Sequence, residues 1–202
     1  MVTPGEVERY VAGALQLARN DPRGFARLDL SADGFWRSFA AIVYAVPAFI
    51  VSWVNYRHGY VLAAGTEATT GLGFYTRLAL IDIANWLVPL LIVGFVAAPL
   101  GLSANFGRWV IATNWLSLPI AYMMAFPVAL ALLAPGWAAF ALIASLMLFA
   151  LAIAAFFRVT RLAFDGDLPV AIAITAGMVI LSLAMTAMLQ SAFGIGIEPV
   201  SG

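Results

Sequence analysis

The chain contains no cysteine and no lysine, and only one histidine, His58. Without cysteine there is no disulfide, no thiolate chemistry and no cysteine metal site, and one histidine cannot build a metal site alone. Charge is scarce as well: 10% of the residues are charged, where an ordinary soluble domain has about 25%. The ten basic residues are all arginine, balance ten acidic residues to zero net charge and form no basic tract, so nucleic acid is not an expected partner. The exclusive use of arginine suggests a GC-rich, bacterial source. There is no Gly-rich phosphate loop, no zinc-binding His pair and no G-x-S-x-G elbow, so neither an enzyme activity nor a cofactor is expected. The first residues lack a basic start followed by a short apolar core and a cleavage site, so no secretory signal is expected.

What the chain has in abundance is apolar sequence. It is 64% hydrophobic with a mean hydropathy of +0.99, the composition of an integral membrane protein. Its 202 residues have room for four to six spans of about 20 residues each, and no separate soluble domain is expected. Five apolar segments are visible, at about 38–56, 78–100, 109–133, 137–157 and 169–193. They lack the alternation of barrel strands, so the expected fold class is all-α, with five transmembrane helices. Pro119 and Pro127 predict a kinked or tilted third span, or a break near Pro127 into two half-helices. The tight turn at Pro135-Gly136 predicts that spans three and four are antiparallel neighbours.

Residues 1–37 read as a cytoplasmic amphipathic and interfacial segment, residues 38–193 as the five-helix domain, and residues 194–202 as a short non-cytoplasmic tail. Thr3 and Glu6 have capping-box spacing, Pro4 sits in the first turn, and "NDP" at 20–22 ends the element. Val7, Tyr10, Val11, Ala14, Leu15 and Ala18 fall on one side of this helix, and Glu8, Arg9, Gln16 and Arg19 on the other. Such a helix suits the headgroup region, the cytoplasmic end of the bundle or a docked partner. Phe25, Leu28, Leu30, Phe35 and Trp36 suit the interface, and Asp33 and Arg37 are spaced to pair. Eight arginines (Arg9, Arg19, Arg23, Arg27, Arg37, Arg108, Arg158 and Arg161) flank the spans on the N-terminal side, against Arg57 and Arg77 on the other. The positive-inside rule then places the N-terminus in the cytoplasm and, after five crossings, the C-terminus outside, in a bacterial inner membrane.

The candidate polar site lies within the spans. "IDIANWLVPL" at 81–90 puts Asp82 and Asn85 in an apolar run, and "IATNWLSLPI" at 111–120 says nearly the same thing again around Asn114. Asp82 and Asn85 read either as a proton- or cation-handling site, or as structure, with Asp82 paired to Arg57 or held as a shallow, hydrated carboxylate. His58, beside Arg57, is the other basic candidate. The twin "NWL" stretches read either as a trace of an inverted repeat or as interfacial tryptophans and span prolines in coincidence, with Asn85, Asn114, Thr113 and Ser117 bonding helix to helix. On the fifth span Ala173, Gly177, Ala184, Ala187 and Ser191 share one face and read as a close-packing surface, within the bundle or against a second subunit. "DGD" at 165–167 lacks the remaining ligands of a calcium loop, and Asp167 reads as a helix cap before Pro169. The outer loop at 57–77 offers no catalytic constellation.

The overall layout, with "NDPRGFARL" before the first span, "FGRWVIATNWLSLPIAY" opening the third and "VTRLAFDGDLPVAIAI" leading into the fifth, resembles the Yip family of small five-span membrane proteins. The eukaryotic members of that family interact with Rab GTPases, and this chain departs from them in its short N-terminal segment. The resemblance implies the five-span fold and a membrane-interaction role, and it carries over no functional residues. The expected function is therefore that of a non-enzymatic interaction or membrane-organising component. Its expected partners are the lipid bilayer and a membrane protein or further copies of the chain. The alternative is a small transporter or channel subunit using Asp82, Asn85 and Asn114.

Overall fold

The structure is a computed structural model and describes residues 2–64 and 70–196. Part of the outer loop and most of the tail discussed above, residues 65–69 and 197–202, lie outside the described residues. Every regular element among the described residues is helical: α1 (Pro4–Ala18), α2 (Ala32–Ser38), α3 (Ala40–Ala64), α4 (Leu72–Ala97), α5 (Ser103–Leu133), α6 (Ala138–Ala163) and α7 (Leu168–Ala192), with short 3-10 turns at Pro22–Arg27 and Pro135–Trp137. Helices α3 to α7 are long and apolar enough to cross a membrane, and they mark the chain as an integral membrane protein. Their outward faces carry large apolar side chains, such as Phe140, Leu142, Leu146 and Met147 on α6. Such a band is excluded from water and suited to lipid.

The trunk of the fold is the first half of α5. Every residue from Trp109 to Leu116 is buried, because α1, α2, α3 and α6 surround this stretch on all sides. A helix apolar all round its circumference has to be enclosed in this way. Neither Pro119 nor Pro127 breaks α5, which runs unbroken for 31 residues; the two half-helices considered from the sequence do not form. Proline is tolerated inside such helices because neighbouring groups take up the freed carbonyls. The turn at Pro135 folds α6 back along α5, the most extensively packed helix pair in the molecule.

Residues 2–39 form a layer across the start of α5 and the end of α6. α1 opens with a capping box, in which Glu6 N–H donates to Thr3 Oγ1 (3.3 Å) and Thr3 N–H donates to Glu6 Oε2 (2.8 Å). Its buried face is Tyr10, Gly13, Ala14, Leu17 and Ala18. This face is turned from the one drawn on the sequence, because Leu15 points outward. The turn exists so that Gly13 can meet Gly24 of the following 3-10 segment; a Cβ on Gly24 would come within 2.7 Å of Leu17 Cγ. Tyr10 lies over Trp115 with ring centres 5.0 Å apart.

Arginines fasten this layer to the bundle. α1 has no basic residue in its last turn, and α6 supplies the missing cations: Arg158 donates to Ala18 O (3.2 Å) and Arg161 to Asn20 Oδ1 (3.0 Å). Asn20 takes the left-handed conformation that ends the helix, with φ 65°. The expected Asp33–Arg37 pair does not form. Arg37 reaches back to Glu6 (2.6 Å) and lies 3.9 Å from Asp29, since Asp29 and Glu6 flank it once α2 folds under α1. The Thr3 amide and the Arg37 guanidinium together hold the Glu6 carboxyl down at about 2. Between α6 and α7, Asp165 accepts from Arg108 and from Asn105 (2.9 Å), and its carboxyl is lowered by them, Arg108 first. Asp167 caps α7 at Val170 N–H (3.0 Å).

The opposite end is closed by carbonyls. α7 ends in a glycine cap, with Gly194 at φ 65° and Ile195 N–H donating to Gln190 O. The carbonyls around it are taken by Arg77 (to Phe193 O, 2.9 Å) and by the Tyr56 and Tyr60 hydroxyls (to Ile195 O, 2.7 Å, and Gly194 O, 3.4 Å). Ile195 itself is buried with Phe74, Leu78 and Ile81.

Candidate functional site

Asp82 sits about 15 Å along α4 from Leu72, at the 1.5 Å rise of a helix, and so within the span. Its partner is Trp53 of α3, whose indole N–H donates to Asp82 Oδ2 at 2.6 Å. The expected Arg57–Asp82 pair does not form. Arg57 turns instead to Thr70, donating to its hydroxyl at 3.1 Å, because Arg57 lies a turn further along α3, near the start of α4. His58 is exposed. Asp82 therefore has a neutral donor in contact and no ion pair among the described residues.

Asn85 follows one turn later on the same side of α4. Its amide donates to Thr186 Oγ1 of α7 (2.9 Å), and its carbonyl oxygen is buried without a partner. Trp86 turns towards α5, where its indole N–H donates to Asn114 Oδ1 (3.0 Å). Asn114 in turn donates to Ser38 Oγ (2.9 Å), and Ser38 to Phe35 O (2.7 Å). Asn114 thus joins α4, α5 and α2 through a fully paired chain. Thr113 and Ser117 bond carbonyls of their own helix, Trp109 O and Asn114 O.

The "NWL" stretches consequently meet one another, yet their matching positions have different partners. Asn85 bonds α7 while Asn114 bonds Trp86 and Ser38. Trp86 faces α5 while Trp115 faces Tyr10.

Three cavities run side by side through this region. One of about 310 Å³ is lined by Asp82, Asn85, Asn114, Thr113 and Ser117 together with Phe49, Trp86, Phe156 and Met178. Asp82 and Asn85 also line a second, of about 270 Å³, which continues past Trp53 and Tyr56 towards Gln190. Thr113, Ser117 and Phe156 also line a third, of about 330 Å³, between α5, α6 and α7. In that cavity Thr175 is 6% exposed and its hydroxyl has no partner. The space exists because α4 leans on α7 and only lightly on α5, while α3 leans on α5.

Of the four polar residues singled out in the sequence, the structure brings Asp82, Asn85 and Asn114 to one cavity and leaves Arg57 outside it. Sequence reasoning missed Trp53, Thr186 and Thr175. For Trp53 a signal was present: a tryptophan inside a span needs an acceptor for its N–H, and Asp82 needs a donor. No protein-family model matches the chain, and neither a curated protein nor a solved structure matches it.

Proposed function

We propose that this chain is a non-enzymatic protein of the bacterial inner membrane that binds a small ligand within the bilayer, as a transporter or channel subunit. One observation carries the reading: Asp82, the one acidic residue within α3 to α7 among the described residues, lies at the junction of two cavities, with a neutral donor rather than a cation beside it. A carboxylate at mid-bilayer costs about 2.5–3.5 kcal/mol on insertion scales. A structural ion pair with Arg57 would compensate that cost, and that arginine is engaged with Thr70 instead. The cytoplasmic N-terminus belongs to the proposal. Its support is the gathering of Arg37, Arg108, Arg158 and Arg161 at the end that carries the N-terminal layer. The test is flux of protons, sodium ions and small organic ammonium ions into liposomes carrying the protein: Asp82→Asn should abolish flux with the fold intact. A silent wild type, or a variant that transports normally, would overturn the reading.

A second reading has its own support. Ala173, Gly177, Ala184, Ala187 and Ser191 of α7 are all exposed, and a Cβ at Gly177 would meet nothing within 4 Å. A membrane-organising component, as the resemblance to the Yip family implies, would use such a face against another helix, of a second copy or of a partner. Native mass spectrometry from mild detergent distinguishes the two: a defined complex with another protein supports the second, and a homo-oligomer without such a partner supports the first.

A further inference from the structure

We infer that the cavity at Asp82 takes a small organic ammonium ion, with its charged head at Asp82 and Asn85 and its apolar body towards α6. The inference rests on the ligand-binding reading above and names its substrate class. It follows from the hydrogen-bonding inventory of the cavity wall. The indole and hydroxyl donors near it are committed, Trp53 to Asp82, Trp86 and Ser117 to Asn114 and Thr113 to Trp109, and the Asn85 and Asn114 amides each spend one N–H, on Thr186 and Ser38. Open acceptor capacity remains at Asp82, whose Oδ2 takes the Trp53 N–H, and at the buried, unpartnered Asn85 Oδ1. These two belong to side chains three residues apart on one helix face. A buried acceptor without a partner calls for a ligand that brings donors, and a neighbouring carboxylate without a cation calls for a positive one.

The remaining wall selects among cations. Phe49, Trp86 and Phe156 line the same cavity, and aromatic faces attract an ammonium group. A bare sodium ion or a divalent cation would require a full shell of oxygens, whereas most of this wall is aromatic or aliphatic. The cavity beyond Thr113 and Ser117 is lined mostly by apolar side chains such as Phe149, Ile153 and Val179, with Thr175 and Ser182 as further polar groups, and suits a largely apolar body attached to the charged head.

The experiment uses the full chain in phosphatidylcholine nanodiscs, with empty nanodiscs as the blank, and isothermal titration calorimetry of two probes of like shape. Phenethylammonium carries the charge, and 3-phenylpropan-1-ol does not. The expected result is saturable binding of phenethylammonium, at least about tenfold tighter than of the alcohol, with the difference erased in Asp82→Asn and the alcohol unaffected. Equal binding of the two probes by the wild type, or no binding of either, would overturn the inference without recourse to any variant. Should Asp82→Asn fail to fold, Asn85→Leu takes its place, and unchanged discrimination in a folded variant counts against the geometry described. Sodium or proton flux that depends on Asp82, together with no ammonium binding, would leave the transport reading standing and remove this one. Silence in both assays would remove both.

Discussion

The two flanks of α5 are built on opposite terms. Between Trp109 and Leu116 the helix is enclosed, and the groups around it are matched, Trp109 N–H with Thr160, Asn114 with Trp86 and Ser38 and Arg108 with Ala163 O and Asp165, with Gln16 Oε1 of α1 the one buried oxygen there left without a partner among the described residues. From Ser117 onward, towards α4 and α7, the helix borders open space, and the oxygens of Asn85 and Thr175 are unpaired. The first flank is what stability requires, since a buried polar group without a partner costs about 1–3 kcal/mol. The second flank accepts that cost twice within one connected region, and rules broken locally in this way mark functional sites. The comparison separates the part of the molecule that holds it together from the part with chemistry left to do.

The comparison breaks most visibly at Trp115. Replacing this buried side chain by alanine should cost about 3–5 kcal/mol and free the N-terminal layer, read as lower unfolding midpoints in mixed micelles and faster proteolysis of residues 2–39. Next in size is Gly24→Leu, which drives a side chain into Leu17 and should cost about 1–3 kcal/mol, with the same segment released first. Asn114→Leu leaves the Trp86 N–H and the Ser38 hydroxyl without their shared partner and should cost about 1–3 kcal/mol. Asn85→Leu on the cavity flank should cost only about 0.6 kcal/mol, because it removes one interhelical bond and one oxygen already unpaired. If Asn85→Leu proves the more damaging of the two asparagine variants, the contrast between the flanks is wrong.

The smallest effect is one of pH. The Glu6 carboxyl is lowered from 4.5 to about 2 by the folded layer, so its contribution is complete above about 4.5 and disappears as the pH falls towards 2. Pepsin cleavage within residues 2–39 should therefore accelerate across that window, and Glu6→Gln should flatten the dependence.

Much of this was legible in the sequence, and unevenly so. The caps at Thr3, Asp167 and the "NDP" stop are contacts within a few residues, and the structure has them where the spacing placed them. The face of α1 was drawn with Leu15 inward, because a helical projection weighs only hydrophobicity. In the fold the crossing at Gly13 and Gly24 decides the rotation, and small size there outweighs one leucine. Charge and a shared side of the membrane make Arg57 and His58 the candidate partners of Asp82. The actual partners, Trp53 for Asp82 and Thr70 for Arg57, depend on how far α3 slides along α4, which no local pattern encodes.

The sequence by itself determined the class of molecule and the placing of its five apolar helices, since the length and hydropathy of a run are properties of consecutive residues. The partners that the site's residues take were decided by the tertiary structure. Asp82 with Trp53, Asn85 with Thr186 and Asn114 with Ser38 join residues 29, 101 and 76 positions apart. Whether an oxygen among them is paired or left open depends on the distance at which one helix rests against the next.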